Sequence, residues 1–245
     1  ISGYGDTKTS ITPKKQPLND TNTHFINNLE WTIYPDGTVV CQSVLLPRGN
    51  PLELLRLGYE LQLPANMGNV TYYGRGPEEN YADRKSGMPL GVYKTTARDS
   101  FFPYGRPQDC GNHEDTRWVA VTDDKGQGLL FGSVGAPFAF SAIPYTTTDL
   151  ILANHPVELP KTTDKTVLVL SSATRGLGGA SCGPGPMSRD IIKANKPYPL
   201  SFFMRPVTSK SYKGEIRVPA AQLDMTMLTR TDKYTVKSVT SQEQG

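Results

Sequence analysis

The sequence is short of several things, and each shortage excludes a class of protein. Only three of its 245 residues are cysteine. Cys41, Cys110 and Cys182 are odd in number, far apart and never in a CxxC pair, so neither a disulfide framework nor a structural zinc site is expected. No run approaches the roughly 18 apolar residues needed to cross a bilayer, and the N-terminus lacks a basic-then-apolar leader. Charge of one sign is also missing. The chain carries 26 basic and 23 acidic residues, a net charge of +3, with no run of five like charges and no ladder of basic and aromatic residues. Nothing in it asks for nucleic acid or an anionic membrane. The first residue is Ile1 rather than Met, so the chain reads as a fragment of a longer protein, and its localisation stays open.

What is plentiful is turn chemistry. With 23 glycines, 20 prolines and 37% apolar residues, the composition suits a folded chain with many turns and few long helices. The length allows one large β domain or two smaller ones.

Residues 1–24 are polar, broken by Pro13 and Pro17, and read as a linker or entry segment. From Phe25, apolar and polar residues alternate on both sides of Pro35-Asp36-Gly37, the pattern of two strands joined by a tight turn. Leu57, Tyr59, Leu61 and Leu63 alternate in a third strand; a helix over Leu52–Leu57 is the competing reading, disfavoured by Gly58. A second hairpin is expected from Thr116–Thr122 and Gly128–Ser133 around Asp123-Asp124-Lys125-Gly126. Further strands are expected at 138–142, 165–173 and 199–206, with one short helix near Thr147–Ala153 capped by a threonine or Asp149. Ten or more short strands and one helix predict an antiparallel sandwich. Past Pro206 the chain turns polar again, and residues 208–245 read as a tail or linker.

Two stretches stand out. Tyr72–Tyr93 begins with an aromatic strand and passes through Gly74, Gly76 and Pro77 into Glu78, Glu79, Asn80, Tyr81, Asp83 and Arg84. A bland turn rarely carries so many charges. Arg175–Pro186 is a glycine-rich run, GLGGASCG at its centre, that lacks the Lys-Ser/Thr ending of a phosphate loop. Between them lies a long irregular stretch, Ala97–Asp115, whose aromatics argue against disorder.

The segment GRGPEENYADR resembles the GxGPxENYxDR signature of the C-terminal β-sandwich, or small chain, of family 2 β-galactosidases. Over Leu54–Val207 further motifs follow in that family's order: LGYELQLP, Phe102-Pro103-Tyr104 with Arg106-Pro107-Gln108, CGNHEDTRW, and GLGG after a strand. The resemblance implies an all-β supersandwich like galactose mutarotase, packed on a catalytic TIM barrel that this chain lacks. It implies loops 101–115 and 175–186 on one wall of a galactoside pocket, with Asn112, His113, Glu114, Arg175, Cys182 and Gly183 as candidate contacts. The catalytic glutamates belong to the barrel, so no catalytic residue, metal or cofactor is expected in this piece; magnesium or sodium is for the parent enzyme. The sequence departs from the family at Gly183, where some relatives carry a sugar-stacking tryptophan. The residues from Tyr234 onward resemble the opening of discoidin-type carbohydrate-binding modules.

The residues themselves give bland readings too. Retaining glycoside hydrolysis needs two carboxyl groups about 5–5.5 Å apart, whereas adjacent Glu78 and Glu79 diverge if extended and read as turn residues bonding backbone donors, Arg75 or Arg84. Arg75, Asp83 and Arg84 read as an internal ion-pair set. Trp31 and Trp118 read as core. His113, beside Glu114 and Asp115, is either a sugar or acid/base contact or a loop hydrogen-bonding residue. The former keeps a free-standing sugar-binding module or an aldose 1-epimerase-like enzyme as the alternative, although His24 and His155 offer no recognisable second member.

Overall fold

The computed structural model describes residues 24–34, 37–49, 54–179, 182–208 and the backbone of 234–236. The first hairpin pairs β1 (His24–Ile33) with β2 (Val39–Arg48) along their full length, from His24 opposite Arg48 to Ile33 opposite Val39. Gly37 takes φ +81 in the turn, a conformation that costs a residue with a Cβ. Pro35 and Asp36 lie outside the described residues. β3 (Arg56–Pro64) is a strand throughout, as the alternation after Gly58 predicts. β4 (Asn69–Arg75) leads into the signature turn and β5 (Leu90–Thr96) returns from it.

The second hairpin is present as β7 (Trp118–Thr122) and β8 (Gly128–Ser133). Thr116 does not belong to it. It ends β6 (His113–Thr116), which pairs with β9 (Phe138–Ile143) in the other sheet. The chain therefore changes sheets between Thr116 and Trp118, helped by a register shift in β6 and by Asp115 at φ 52. The long irregular stretch accordingly ends at Asn112, and His113 is a strand residue. The helix α1 (Thr147–Leu152) is closed by a capping box: the Thr146 hydroxyl accepts from Asp149 N–H, and the Asp149 carboxylate accepts from Thr146 N–H. Such a cap stabilises by about 1 kcal/mol.

β10 (Lys165–Thr174) and β11 (Tyr198–Val207) complete the predicted strands. A short β12 (Tyr234–Val236) pairs antiparallel with β1. The residues expected to open a following module thus form an edge strand of this sheet. The rest of segments 1–24 and 208–245 lies outside the described residues, apart from His24 and Thr208. The result is an all-β sandwich of two antiparallel sheets. One has eight strands in the order β12-β1-β2-β11-β8-β7-β4-β5, the other four in the order β3-β10-β9-β6.

Alternation along each strand builds the core. Val70, Tyr72, Val119, Val121, Phe131 and Phe202 of the large sheet face Leu63, Phe138, Phe140, Leu168 and Leu170 of the small one. Each buried phenylalanine contributes on the order of 1.5–3 kcal/mol. Trp118 is buried as expected, on the opposite face of β7 with Ala120, Leu130 and Phe203; Trp31 packs edge-on against Phe202. Behind the small sheet, Ile143 points away from Phe140 and meets Leu150, Leu159 and Cys110 under α1. None of the three cysteines is in a disulfide; Cys41 and Cys110 are buried and Cys182 is exposed.

Candidate functional site

The signature turn is organised around one buried amide. Asn80 is fully buried, and its side-chain N–H groups donate to the carbonyls of Arg75 and Glu78. Its Oδ1 accepts from Glu114 N–H at 2.8 Å. Its backbone N–H donates to Asn112 O, and its own carbonyl accepts from the Asn112 amide, both at 2.7 Å. The turn is thus tied on one side to itself and on the other to the start of β6. Burying an amide costs several kcal/mol unless its groups are bonded, and here each finds a partner. Gly74 and Gly76 make the approach possible: a Cβ would stand 2.5 Å from Thr116 Oγ1 at the first and 2.4 Å from Tyr72 Oη at the second.

Glu79 bonds a backbone donor and a side-chain hydroxyl. Its carboxylate accepts from Gly111 N–H at 2.7 Å and from the Tyr104 hydroxyl. Neither Arg75 nor Arg84 bonds it. Burial and the neighbouring Glu79 charge push the Tyr104 phenol up to about 12. Tyr81 is buried beside it, with long contacts to Glu79 and to Asp109 O. Asp109 answers Arg56 at 2.7 Å, yet burial still raises its carboxyl above the usual range.

His113 lies between Tyr72 and Phe140, with ring centroids 4.4 and 5.2 Å away. Its Nδ1 is 3.1 Å from Arg75 O and 3.0 Å from Tyr72 Oη. A carbonyl only accepts, so the proton sits on Nδ1; the phenol oxygen accepts from the same N–H and sends its own proton to Pro77 O. Burial lowers the imidazole to about 4, so the ring is neutral at physiological pH. His113 is a buried residue that stacks in the core and hydrogen-bonds the turn.

The charged residues of the signature do not form one set. Arg75 pairs with Asp115 at 2.5 Å and donates to the carbonyls of Lys85 and Met88. Lys85 closes on Asp115 at 2.9 Å and on Glu114 at 3.6 Å. Burial works against ionised Asp115, but its bonds to Arg75 and Lys85 outweigh it and hold the carboxyl below its usual range. Glu114 also accepts from the Thr174 hydroxyl at the end of β10. Asp83 turns elsewhere, to the glycine-rich loop, accepting from Leu177 N–H at 2.9 Å and Gly178 N–H at 2.7 Å. Those two bonds overcome its desolvation and lower its carboxyl. Arg84 is exposed, and its N–H closes the turn on Tyr81 O.

Six pocket candidates therefore separate into two groups. Asn112, His113 and Glu114 are buried and hydrogen-bonded inside the fold. Arg175 is half-buried with its N–H on Leu55 O, and Cys182 and Gly183 are exposed. Ala180 and Ser181 lie outside the described residues. The loop crosses itself closely, with Gly179 N–H on Pro184 O and a Cβ at Gly183 only 2.8 Å from Gly179 Cα. That contact explains in part why no larger residue stands at 183. Sequence reasoning missed Lys85, Asp109 and Thr174. Lys85 follows directly on the signature, and its adjacency to Arg84 was the one available signal. Among the described residues, no group of three or more His, Cys, Asp or Glu side chains converges to hold a metal.

An all-β sandwich whose signature turn is tied to β6 through a buried amide and to a glycine-rich loop through the exposed Asp83 carboxylate is the setting for the comparisons. Residues 5–204 match the family model described as the β-galactosidase small chain, and the chain belongs to that family. It is 43% identical over 147 residues to the β-galactosidase BgaC of Bifidobacterium adolescentis, covering 59% of this chain and 14% of that protein. It is 34% identical over 179 residues to a β-galactosidase of Priestia megaterium, covering 72% and 17%. With a β-galactosidase of Streptococcus thermophilus it shares 35% over 151 residues, covering 61% and 15%. The chain thus spans about a sixth of the length of these relatives.

Proposed function

We propose that this chain is the small-chain domain of a β-galactosidase-type glycoside hydrolase and acts as its accessory wall. In this reading the domain packs on a catalytic TIM barrel supplied by the rest of the protein and does not hydrolyse galactosides alone. The glycine-rich loop and the exposed tip of the 101–108 stretch flank the galactoside, while Asn112, His113 and Glu114 hold the signature turn from behind. The observation that carries it is the surface around that turn. Leu90, Val92, Leu177 and Met187 are exposed there: Leu90 and Val92 lie on edge strand β5 opposite Arg75 and Tyr73, and Leu177 and Met187 lie in the loop that Asp83 holds. Exposed apolar side chains on both the edge strand and the loop are what a surface covered by another domain would present. The relatives' names, β-galactosidases of roughly six times the matched length, support a catalytic remainder as the partner.

The test is an assay of three preparations with a chromogenic β-galactoside: this chain, the full-length protein, and the full-length protein lacking this chain. Activity is expected only in the second. Mutarotation of fresh α-galactose, followed by polarimetry, is expected at the buffer rate with the chain alone. Hydrolysis by the isolated chain, or undiminished activity without it, overturns the reading.

A further inference from the structure

The glycine-rich loop is long, exposed and thinly held. From Leu177 to Arg189 most described residues face solvent, so burial does not fix its path. Several of its hydrogen bonds are internal: Gly176 N–H to Asp190 O, Gly179 N–H to Pro184 O, and Asp190 N–H to Met187 O. Besides Arg175 N–H on Leu55 O at its base, two bonds among the described residues reach a distant part of the sequence, and both end on Asp83, one on each carboxylate oxygen. Bonds to an ionised acceptor are about twice as strong as neutral ones.

The fit extends over three consecutive residues. Leu177 and Gly178 supply adjacent N–H donors, and Gly178 takes φ +64. Gly176 supplies room: a Cβ there would stand 2.6 Å from Asp83 Oδ2 and 2.7 Å from its carboxyl carbon. A Cβ at 176, which would also stand 2.9 Å from Asp190 Cβ, therefore pushes the carboxylate aside while leaving residue 83 chemically unaltered. Asp83 itself sits on a turn fixed by Asn80 and by the Arg84 N–H on Tyr81 O, so its position is inherited from the buried network.

We infer that Asp83 is the positioning residue of the glycine-rich loop, setting where Leu177–Gly179 and Cys182–Pro184 stand and thereby how tightly the site accepts its galactoside. The second half of this statement rests on the accessory-wall reading; the first half does not. Asp83 touches no substrate in this scheme. It acts through Leu177 and Gly178, and transmits the rigidity of the signature turn to a loop that has little of its own.

The experiment compares Asp83→Ala, Asp83→Asn and Gly176→Ala with the unaltered chain. Amide hydrogen exchange is read at Gly179, whose N–H bonds Pro184 O and never meets Asp83, and the mobility of a spin label is read at Cys182, the exposed cysteine. Asp83→Ala is expected to speed Gly179 exchange on the order of tenfold, the worth of one charge-assisted bond, and to mobilise the label. Gly176→Ala should reproduce this, and Asp83→Asn, which keeps one acceptor oxygen, should fall between. Unchanged intrinsic fluorescence of Trp31 and Trp118 serves as the check that each variant is folded. In the full-length protein the same series should raise KM for a galactoside in the same order while kcat changes less. Unchanged Gly179 exchange and label mobility in folded Gly176→Ala and Asp83→Asn overturn the inference. A loosened loop with unchanged KM upholds the positioning role and overturns the loop's place at the galactoside.

Discussion

The two ends of strand β4 are built on different principles. At the Arg75 end the signature turn is held by contacts between residues far apart in sequence: Asn80 to Glu114, Glu79 to Gly111, and Asp83 to Leu177 and Gly178. At the Asn69 end the neighbouring β7–β8 turn is held mainly by its own residues, with Asn69 Nδ2 donating to Asp124 Oδ1 at 2.9 Å as the contact from β4. Asp123 Oδ1 accepts from Lys125 N–H and Gln127 N–H, and the turn leaves beside it an open cleft of about 580 Å³ lined by Asn69, Thr96, Asp124 and Tyr145 among others. One end is specified locally and left wet; the other is assembled from four segments and sealed. The sealed end is where a loop must be placed accurately, and that difference is what substitutions should expose.

Asn80→Ala should do the most damage. It leaves the buried Glu114 N–H without its acceptor and removes one bond each from the carbonyls of Arg75, which keeps His113 Nδ1–H, and of exposed Glu78. The unsatisfied N–H costs about 1–3 kcal/mol and each lost carbonyl bond about 1 kcal/mol, so a loss of about 3–5 kcal/mol is expected from the denaturant midpoint, at unchanged slope. A loss below about 1 kcal/mol would show that water replaces the amide and that the sealed end is not sealed.

The sealed end should also be the acid-sensitive one. His113 titrates near 4 in the folded chain against 6.5 when unfolded, so the unfolded state binds the extra proton between these values. Its contribution is complete above pH 6.5, declines as pH falls through that window, and by pH 4 has cost about 3 kcal/mol. Below pH 3.8 Asp115 and Asp83, both lowered, add losses of the same sign as they protonate. His113→Phe, which keeps the stack between Tyr72 and Phe140, should flatten the dependence between pH 6.5 and 4 in urea titrations. An unchanged slope would assign the acid sensitivity to other groups.

The same contrast decides what could be read from the sequence. Both hairpins were legible because their turns are local, with Pro-Asp-Gly or Asp-Asp-Lys-Gly between alternating runs. The capping box of α1 was legible for the same reason. β6 was not, because His113-Glu114-Asp115 looks like a polar loop. Its burial depends on Asn80 and Lys85 of the signature segment and on Thr174 at the end of β10. The signature announced itself by its density of charge, yet the pairing within it could not be guessed. Arg75 and Asp83 stand eight positions apart and point to different partners, Asp115 and the glycine-rich loop. A strand of three residues at an edge, β12, carries too little pattern to be seen at all.

Asp123→Ala should have the smallest effect and is the control for the whole comparison. The side chain loses two hydrogen bonds, but the freed N–H groups of Lys125 and Gln127 belong to exposed contacts and water can take them. The backbone frame of the turn remains, with Asp123 N–H on Gln127 O at 2.8 Å, Gly126 N–H on Asp123 O at 3.0 Å, and Gly126 at φ +71. About 1 kcal/mol or less should be lost, a fall of roughly 2–4 °C in thermal midpoint, with no change in Gly179 exchange at the other end. Should this substitution cost as much as Asn80→Ala, a local turn would be carrying the weight assigned to long-range closure, and the distinction between the two ends of β4 would fail.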